Sequence, residues 1–264
     1  MSKKNAVIAE SDSRAMVRLL GETAAVDGGH AEKKRYLMDG LCGLINANAW
    51  AWTLSCSTEP GAPQSYVGIL HGGFSEDRIT KFMLALSHPG MGPPVARFNA
   101  RLADGGGMVT MQRTEIDPEG LACVPELNQL WIDANIEHLI MGGYPVDACS
   151  ASCLGIYRPF GAPAFTEREM QIAHIILSEV PWLHMSGWPE DRGVLVPKLA
   201  PRQKTILYML LDGRARKDIA YSIGISENTV SSYVKEIYRL FSVNSQPELM
   251  RKYLHGHSER MGTP

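Results

Sequence analysis

Six polar side chains stand close together near the carboxy-terminal end of the chain. Asn228, Thr229, Ser231, Ser232, Lys235 and Arg239 lie within KDIAYSIGISENTVSSYVKEIYRLFSV, residues 217–243. The short donors and acceptors come first and the long cations follow. Amides and hydroxyls of that size suit base edges and phosphate oxygens, whereas ammonium and guanidinium groups suit phosphates. The chemistry on offer is recognition of a polyanion rather than the making or breaking of bonds.

Other reactive residue types are present without the company that catalysis needs. CSASC (149–153) places two cysteines four apart, and in a strand their Cα atoms are too distant to bond without a bend. As metal ligands they lack a second pair, and His138 is a lone candidate, so core or strand-face cysteines, rather than a redox sensor, are the expectation. HGGF (71–74) resembles a lipase oxyanion tripeptide, but no G-x-S-x-G elbow supplies a nucleophile. DGGGMV (104–109) precedes a strand instead of opening a helix, so it is no phosphate cradle. None of the eight histidines has H-E-x-x-H spacing. The expectation is a protein that is not an enzyme and carries no cofactor or metal.

The elements that must position the six polar residues can be read from the apolar ones. PRQKTILYMLLDG (201–213) carries an apolar stripe of Ile206, Leu207, Leu210 and Leu211, with Pro201 in its first turn and Gly213 as its stop. ARKDIAYSI (215–223) buries Ile219, Ala220 and Ile223. Gly224 can adopt the positive φ of a tight corner, Ile225 plugs that corner, and Ser226 caps the next helix with Glu227 in its first turn. Val230, Val234, Ile237 and Phe241 then form a core seam. SQPELMRKYL (245–254) reads as a fourth helix, with Leu249 and Met250 inward. Two helices joined at such a corner form a helix-turn-helix, whose second helix presents its polar face as a ridge for the major groove.

On these residues the segment 199 to about 254 resembles the DNA-binding domain of LuxR-type transcription regulators. The match runs without a gap through Leu199, Pro201-Arg202, Gly213, Lys217, Ile219-Ala220, Gly224-Ile225-Ser226, Thr229-Val230, Ile237-Tyr238 and Val243. The resemblance implies that Lys217 and Thr229 meet the DNA backbone and that Ser231, Ser232 and Lys235 face the groove. It also implies that the last helix pairs two subunits. The chain departs from the family at Ala200, Gln203 and Thr205, and at Ser231, where the family often has a basic residue. Ala200 removes a helix cap worth about 1 kcal/mol.

Ahead of this tail lies a mixed segment. Helices are expected at 11–26, 31–46, 75–86 (capped by Ser75 and stopped by the Pro and Gly of HPGMGPP), 125–135 and 165–185, the last opened by a Thr166/Glu169 capping box. Strands are expected at 49–56, 65–70, 108–112, 137–146 and 152–159. In the first strand Trp50, Trp52, Leu54 and Cys56 share one face. The result is an α+β fold in which an α/β/α sandwich surrounds an antiparallel sheet, followed by a four-helix helix-turn-helix domain. The element order resembles GAF- and PAS-like sensory domains over roughly 30–180. Trp50, Trp52, Tyr66, Trp131, Tyr144 and Tyr157 sit on or near the strands, where they could line a pocket for a flat small molecule or simply fill the core. An acyl-homoserine lactone is not expected, because SHPGMGPPVARF (87–98) lacks the family's Asp-Pro. AVIAESDSRAMVRLL (6–20) looks like the start of a phospho-receiver, but AWAWTLSCSTEPG offers no acceptor Asp.

Composition agrees with this division. From Val194 onward eleven Lys and Arg face six Asp and Glu, a balance of +5, whereas residues 1–193 hold fifteen against twenty-two, a balance of −7. A basic tail on an acidic body suits a polyanion-binding module joined to something else. SGWPEDRGVLVPK (186–198) reads as the linker, which gives a sensory or dimerisation domain at 1–185 and a DNA-binding domain at 199–264. The charged amino terminus is no secretory signal, no apolar run approaches the ~18 residues of a membrane helix, and five scattered cysteines suit a reducing setting. The expected protein is a cytoplasmic, homodimeric regulator that binds double-stranded DNA and a small-molecule ligand and has no membrane partner. The alternatives are a regulator with a ligand-free dimerisation scaffold in front, or a small-molecule-binding protein or enzyme with an accessory helical tail.

Overall fold

A computed structural model describes residues 7–57, 64–120, 124–147, 150–185, 199, 201–241 and 243–255; within these, the side chains of 56–57, 64–68, 201, 204 and 251–255 are outside the description. The elements before the tail are α1 (Glu10–Ala25), α2 (His30–Leu44), β1 (Ala49–Ser57), β2 (Gln64–Gly72), α3 (Glu76–Leu86), a 3₁₀ turn at Pro89–Met91, α4 (Gly92–Gly105), β3 (Val109–Gln112), α5 (Arg113–Ile116), α6 (Pro125–Asp133), β4 (His138–Asp147), β5 (Ser150–Arg158), α7 (Glu167–Ser178) and α8 (Pro181–Met185). The tail holds α9 (Pro201–Leu211), α10 (Arg216–Ser222), α11 (Glu227–Leu240) and α12 (Gln246–His255). The chain forms two compact units. The first comprises Met1–Trp52, Leu70–Pro145 and Ser152–His184, and the second comprises Thr53–Ile69, Val146–Ala151 and Met185–Pro264.

The five strands form one sheet in the order β2-β1-β5-β4-β3. β3 pairs antiparallel with β4, Val109 opposite Gly143 and Gln112 opposite Ile140. β1 and β2, and β4 and β5, are sheet neighbours joined by connections too short for a parallel crossover, so they too are antiparallel. The fold is therefore mixed α+β with an antiparallel sheet.

Within the first unit, helices cover both faces of its part of that sheet. On one face Trp50 donates from Nε1 to Asp39 of α2 (2.7 Å), and Thr110 Oγ1 lies 3.1 Å from His174 Nδ1 of α7. On the other, Tyr157 of β5 packs edge-on to Phe82 of α3 at 5.2 Å between centroids, and Phe82 meets Trp131 of α6 at 6.3 Å. β1 is buried at every position from Ala49 to Ser55, not only on its tryptophan face. A Cβ at position 155 would fall on the hydroxyl end of the Tyr157 ring, so glycine there gives that ring its place along the strand.

Two polar clusters are built into this apolar body. Arg158, almost wholly buried, donates to the carbonyls of Ile45, Asn46, Pro163 and Ala164 and pairs with the buried carboxylate of Glu169. Its guanidinium stacks 4.1 Å from the Phe165 ring centroid. A buried charge is tolerable only when paired and hydrogen-bonded in this way, and the cluster ties the end of α2 to the start of α7. The second cluster is uncharged at its centre. Trp52 Nε1 donates to Ser152 Oγ (2.7 Å), Ser152 Oγ lies 2.9 Å from His184 Nδ1, and His184 Nε2 lies 3.0 Å from the Leu177 carbonyl. The carbonyl can only accept, so the imidazole proton belongs on Nε2 and Nδ1 accepts from the serine. Tyr144 stacks on the imidazole at 5.0 Å and 9°, and the buried Lys34 ammonium stands 5.1 Å from the Trp52 ring centroid.

Three expectations need correction. HPGMGPP does end α3, but it also starts α4, a helix the sequence reading did not place. Prolines are tolerated in a first turn, and Pro94, Phe98 and Leu102 at intervals of four supply its buried stripe. The helix expected over 165–185 is two helices, because Pro181 cannot continue α7 and instead opens α8. The four-residue α5 was also unplaced. The Ser75 cap and the Thr166/Glu169 capping box are present as expected. Cys149 and the stretch 186–198 lie outside the described residues.

Burial pushes the His184 imidazole down to about 4 from its ordinary 6.5, and the Lys34 charge adds to this. The unfolded chain takes up that proton near pH 6.5 and the folded chain only near 4, so the stability present above 6.5 is lost as pH falls through that window. Urea unfolding followed at pH 7 and pH 5 is expected to show a loss of about 1–2 kcal/mol from this group in the parent protein. His184→Gln, less stable throughout, should show a pH response smaller by that amount. An equal pH response in both proteins would contradict the neutral, buried imidazole.

Candidate nucleic-acid interface

The second unit's helical tail is organised around its apolar seam. Ile206, Leu207 and Leu210 of α9 are fully buried, with Thr205, Tyr208 and Met209 beside them, so α9 is covered over more than the expected stripe, while Leu211 is only half-buried. α10 buries Ile219 and Ala220, leaving Ile223 and Ile225 half-buried. α11 buries Val230, Val234 and Ile237, with Phe241 just beyond its end. Side chains of that kind contribute about 1.5–3 kcal/mol each when fully removed from water. Leu249 of α12 is buried, and Met250, expected inward, is half-buried.

The corner between α10 and α11 follows from local chemistry. Gly224 has φ of 66°, and Ile225 N returns to the Ala220 carbonyl at 3.1 Å, closing α10. Such a left-handed residue costs a side-chain-bearing amino acid about 1–2 kcal/mol, and glycine very little. Ser226 then takes an extended conformation and its Oγ accepts from Thr229 N at 3.1 Å. Gly213, with φ of 79°, ends α9 in the same manner.

With the seam inward, the opposite side of α11 is solvent-facing. Asn228, Thr229, Ser232, Lys235 and Arg239 are exposed and Ser231 is half-buried. Lys217 is exposed on α10. The Thr229 hydroxyl lies 2.8 Å from Ser226 Oγ, and Ser232 donates to the Asn228 carbonyl (3.1 Å), which leaves acceptor lone pairs on both hydroxyls. Glu236 also lies on the exposed side, and one oxygen of its carboxylate accepts from Gln203 Nε2 at 2.8 Å. The arrangement brings the six residues singled out in the sequence onto one outward stretch of α11, about 16 Å long from Asn228 to Arg239 at the rise of an α-helix.

The aromatic residues singled out in front are not brought together in the same way. Trp50, Trp52 and Tyr144 lie on the α2/α7/α8 face of the sheet, and Trp131 and Tyr157 on the α3/α6 face. The Tyr66 side chain is outside the described residues. The five described rings therefore cannot line one pocket. Between the sheet and the helices on the second face is an apolar cavity of about 30 Å³, lined by Met91, Pro94, Val95, Arg113, Ile116, Asp117, Trp131, Leu139 and Met141. Its volume accommodates water, not an organic molecule, as it stands. Of the described aromatic set only Trp131 reaches it; the rest of its wall comes from α4, α5 and β4 and residues beside them, and α4 and α5 were the helices missed in the sequence. Among the described residues no group of three His, Cys, Asp or Glu side chains is placed to hold a metal, and His138 Nε2 lies 3.1 Å from the Ala162 carbonyl. No helix among them is long and apolar enough to cross a membrane.

Residues 197–253 match the family described as bacterial regulatory proteins, luxR family. The carboxy-terminal segment is a LuxR-family helix-turn-helix domain. Over 55 residues, 21% of this chain and 20% of the relative, the sequence is 38% identical to the two-component response regulator PprB of Pseudomonas aeruginosa. Over 142 residues, 51% of this chain and 64% of the relative, it is 30% identical to the transcriptional regulatory protein FixJ of Azorhizobium caulinodans. The matched part thus spans less than two thirds of either curated relative. Among solved structures, SdiA in complex with octanoyl-rac-glycerol aligns over 95% of this chain and 97% of that one, at 12% identity and a TM-score of 0.49.

The corner makes a direct prediction. Gly224→Ala is expected to cost the tail about 1–2 kcal/mol, and Ser226→Ala about 1 kcal/mol. Amide hydrogen exchange in α10 and α11 of the full chain, which reads local opening, should accelerate by about 5- to 30-fold and by about 5-fold respectively. Unchanged protection in Gly224→Ala would show that the left-handed conformation is not what holds the corner.

Proposed function

We propose that this protein is a DNA-binding transcription regulator acting as a homodimer. The domain at 199–264 reads double-stranded DNA, and the segment 186–198 links it to a GAF/PAS-like domain at 1–185. The observation that carries the reading is the outward ridge of α11, its recognition-type side chains in solvent, within the segment that the luxR family model matches. In this reading Asn228, Ser231, Ser232 and Lys235 meet base edges, and Lys217, Thr229 and Arg239 meet phosphates. Two copies would bind a two-fold symmetric site, with half-sites about one helical turn apart. The setting is the cytoplasm, and no catalysis is assigned.

For the front domain we propose sensing of a small, largely apolar ligand at the cavity beside Trp131, by expansion at α4. The ligand would act through different affinities for two conformations. A second reading, a ligand-free dimerisation scaffold, is favoured by the cavity's volume of about 30 Å³. Native mass spectrometry of protein purified from its host separates the two: a retained small molecule supports sensing, and bare protein supports the scaffold.

DNA binding is tested by titrating the full-length protein with duplex fragments at several salt concentrations. The affinity is expected to fall steeply with salt, because bound cations release counterions from DNA. Lys217→Ala, at a phosphate, should weaken binding to all sequences alike and reduce the slope of log affinity against log salt by about 0.9, whereas Lys235→Ala, at a base edge, should weaken binding mainly to the preferred sequence, both with melting temperature unchanged. Salt-independent binding, or variants that bind as the parent does, would contradict the assignment.

A further inference from the structure

We infer that Tyr221 is a further DNA contact, a neutral hydrogen-bond donor to the phosphate backbone placed one turn along from Lys217. The inference rests on the DNA-binding reading above and adds a residue that the recognition-type pattern in α11 does not contain. Tyr221 is 91% exposed, more than any other large apolar or aromatic side chain among the described residues. α10 gives its buried side to Ile219 and Ala220, so the core does not use the ring. Ser222, beside it, turns its hydroxyl back to the Asp218 carbonyl at 2.7 Å, whereas among the described residues the Tyr221 hydroxyl has no such local acceptor. An aromatic ring held in water on a stable helix gains nothing for the fold.

Its position decides the partner. Residues four apart share one side of a helix, so Tyr221 stands on the stripe of the exposed Lys217, with the exposed Arg216 adjacent. The stripe ends three residues before Gly224, at the corner from which α11 projects. In helix-turn-helix docking the first helix of the pair crosses the DNA backbone. A phenol suits that surface: its ring covers a deoxyribose and its O–H reaches a phosphate oxygen. Asp218, also exposed on α10, carries the opposite charge and lies about 100° around the helix from Lys217.

A neutral donor leaves a signature that a cation does not. It displaces no counterion, so its loss lowers affinity by a constant factor at every salt concentration. A duplex selected from a random library by the full-length parent serves as the probe. Tyr221→Phe, which removes only the hydroxyl, is expected to weaken binding by about 3- to 10-fold at both low and high salt, with the parent's slope and melting temperature. Tyr221→Ala should lose at least as much. If the parent binds with a steep salt dependence and both variants bind equally well, the inference is overturned while the regulator reading stands. If such variants lose only transcription in a reconstituted reaction, the exposed ring belongs to a protein partner, and the inference is again overturned. A loss confined to Tyr221→Ala overturns the donor assignment, and a parent that binds no duplex overturns both readings together.

Discussion

The helical tail turns on one backbone conformation, the positive φ of Gly224. Once the chain reverses there, α11 must cross α10 at close range, and the seam of Val230, Val234, Ile237 and Phe241 has only one direction in which to be buried. Burial of the seam then fixes which residues remain in water. The recognition surface is therefore not selected by its own polarity. It is what remains after the apolar side has been committed, and Ser226, by capping α11 where the polar residues begin, fixes where that surface starts.

The front unit solves a different problem. Its part of the sheet is covered on both faces, which hides more backbone and side-chain polarity than a two-layer arrangement would. Arg158 answers this by serving four carbonyls and one carboxylate at once, a role that the planar fork of a guanidinium can fill and a lysine ammonium cannot. The Trp52–Ser152–His184 chain answers it without charge, each donor meeting an acceptor. The Lys34 cation stands close to that neutral chain, and its field helps keep the imidazole unprotonated.

The tail was almost wholly legible in the sequence because its determinants are local. A cap, a left-handed glycine and a seam at intervals of three and four specify it within some thirty residues. The strands of the front unit were legible for the same reason, through β-branched and aromatic runs between turn residues. What escaped were elements whose signal is ambiguous until the tertiary context is known. The Pro-Gly stretch 89–94 both ends α3 and begins α4, and proline has opposite meanings at those two places. Pro181 sits in a pattern otherwise periodic enough to be taken for one helix. The aromatic set misled because alternation along a strand states which residues share a face of that strand, not which strands turn that face to the same helices. Tyr157 and Trp52 stand on neighbouring strands and point to opposite layers.

The strand order has a consequence for synthesis on the ribosome. β1 lies between β2 and β5, yet β5 begins more than ninety residues after β1 ends. The Trp52–Ser152 bond joins residues 100 apart, and the Arg158 bonds to Ile45 and Asn46 span 113 and 112. While the chain is being made, β1 emerges after α2 but with its edge toward β5 open and its α3/α6 side uncovered, and its central partner does not yet exist. Pairings of such sequence separation close late and slowly, and an open, tryptophan-bearing strand is the sort of surface that chaperones occupy in the interval.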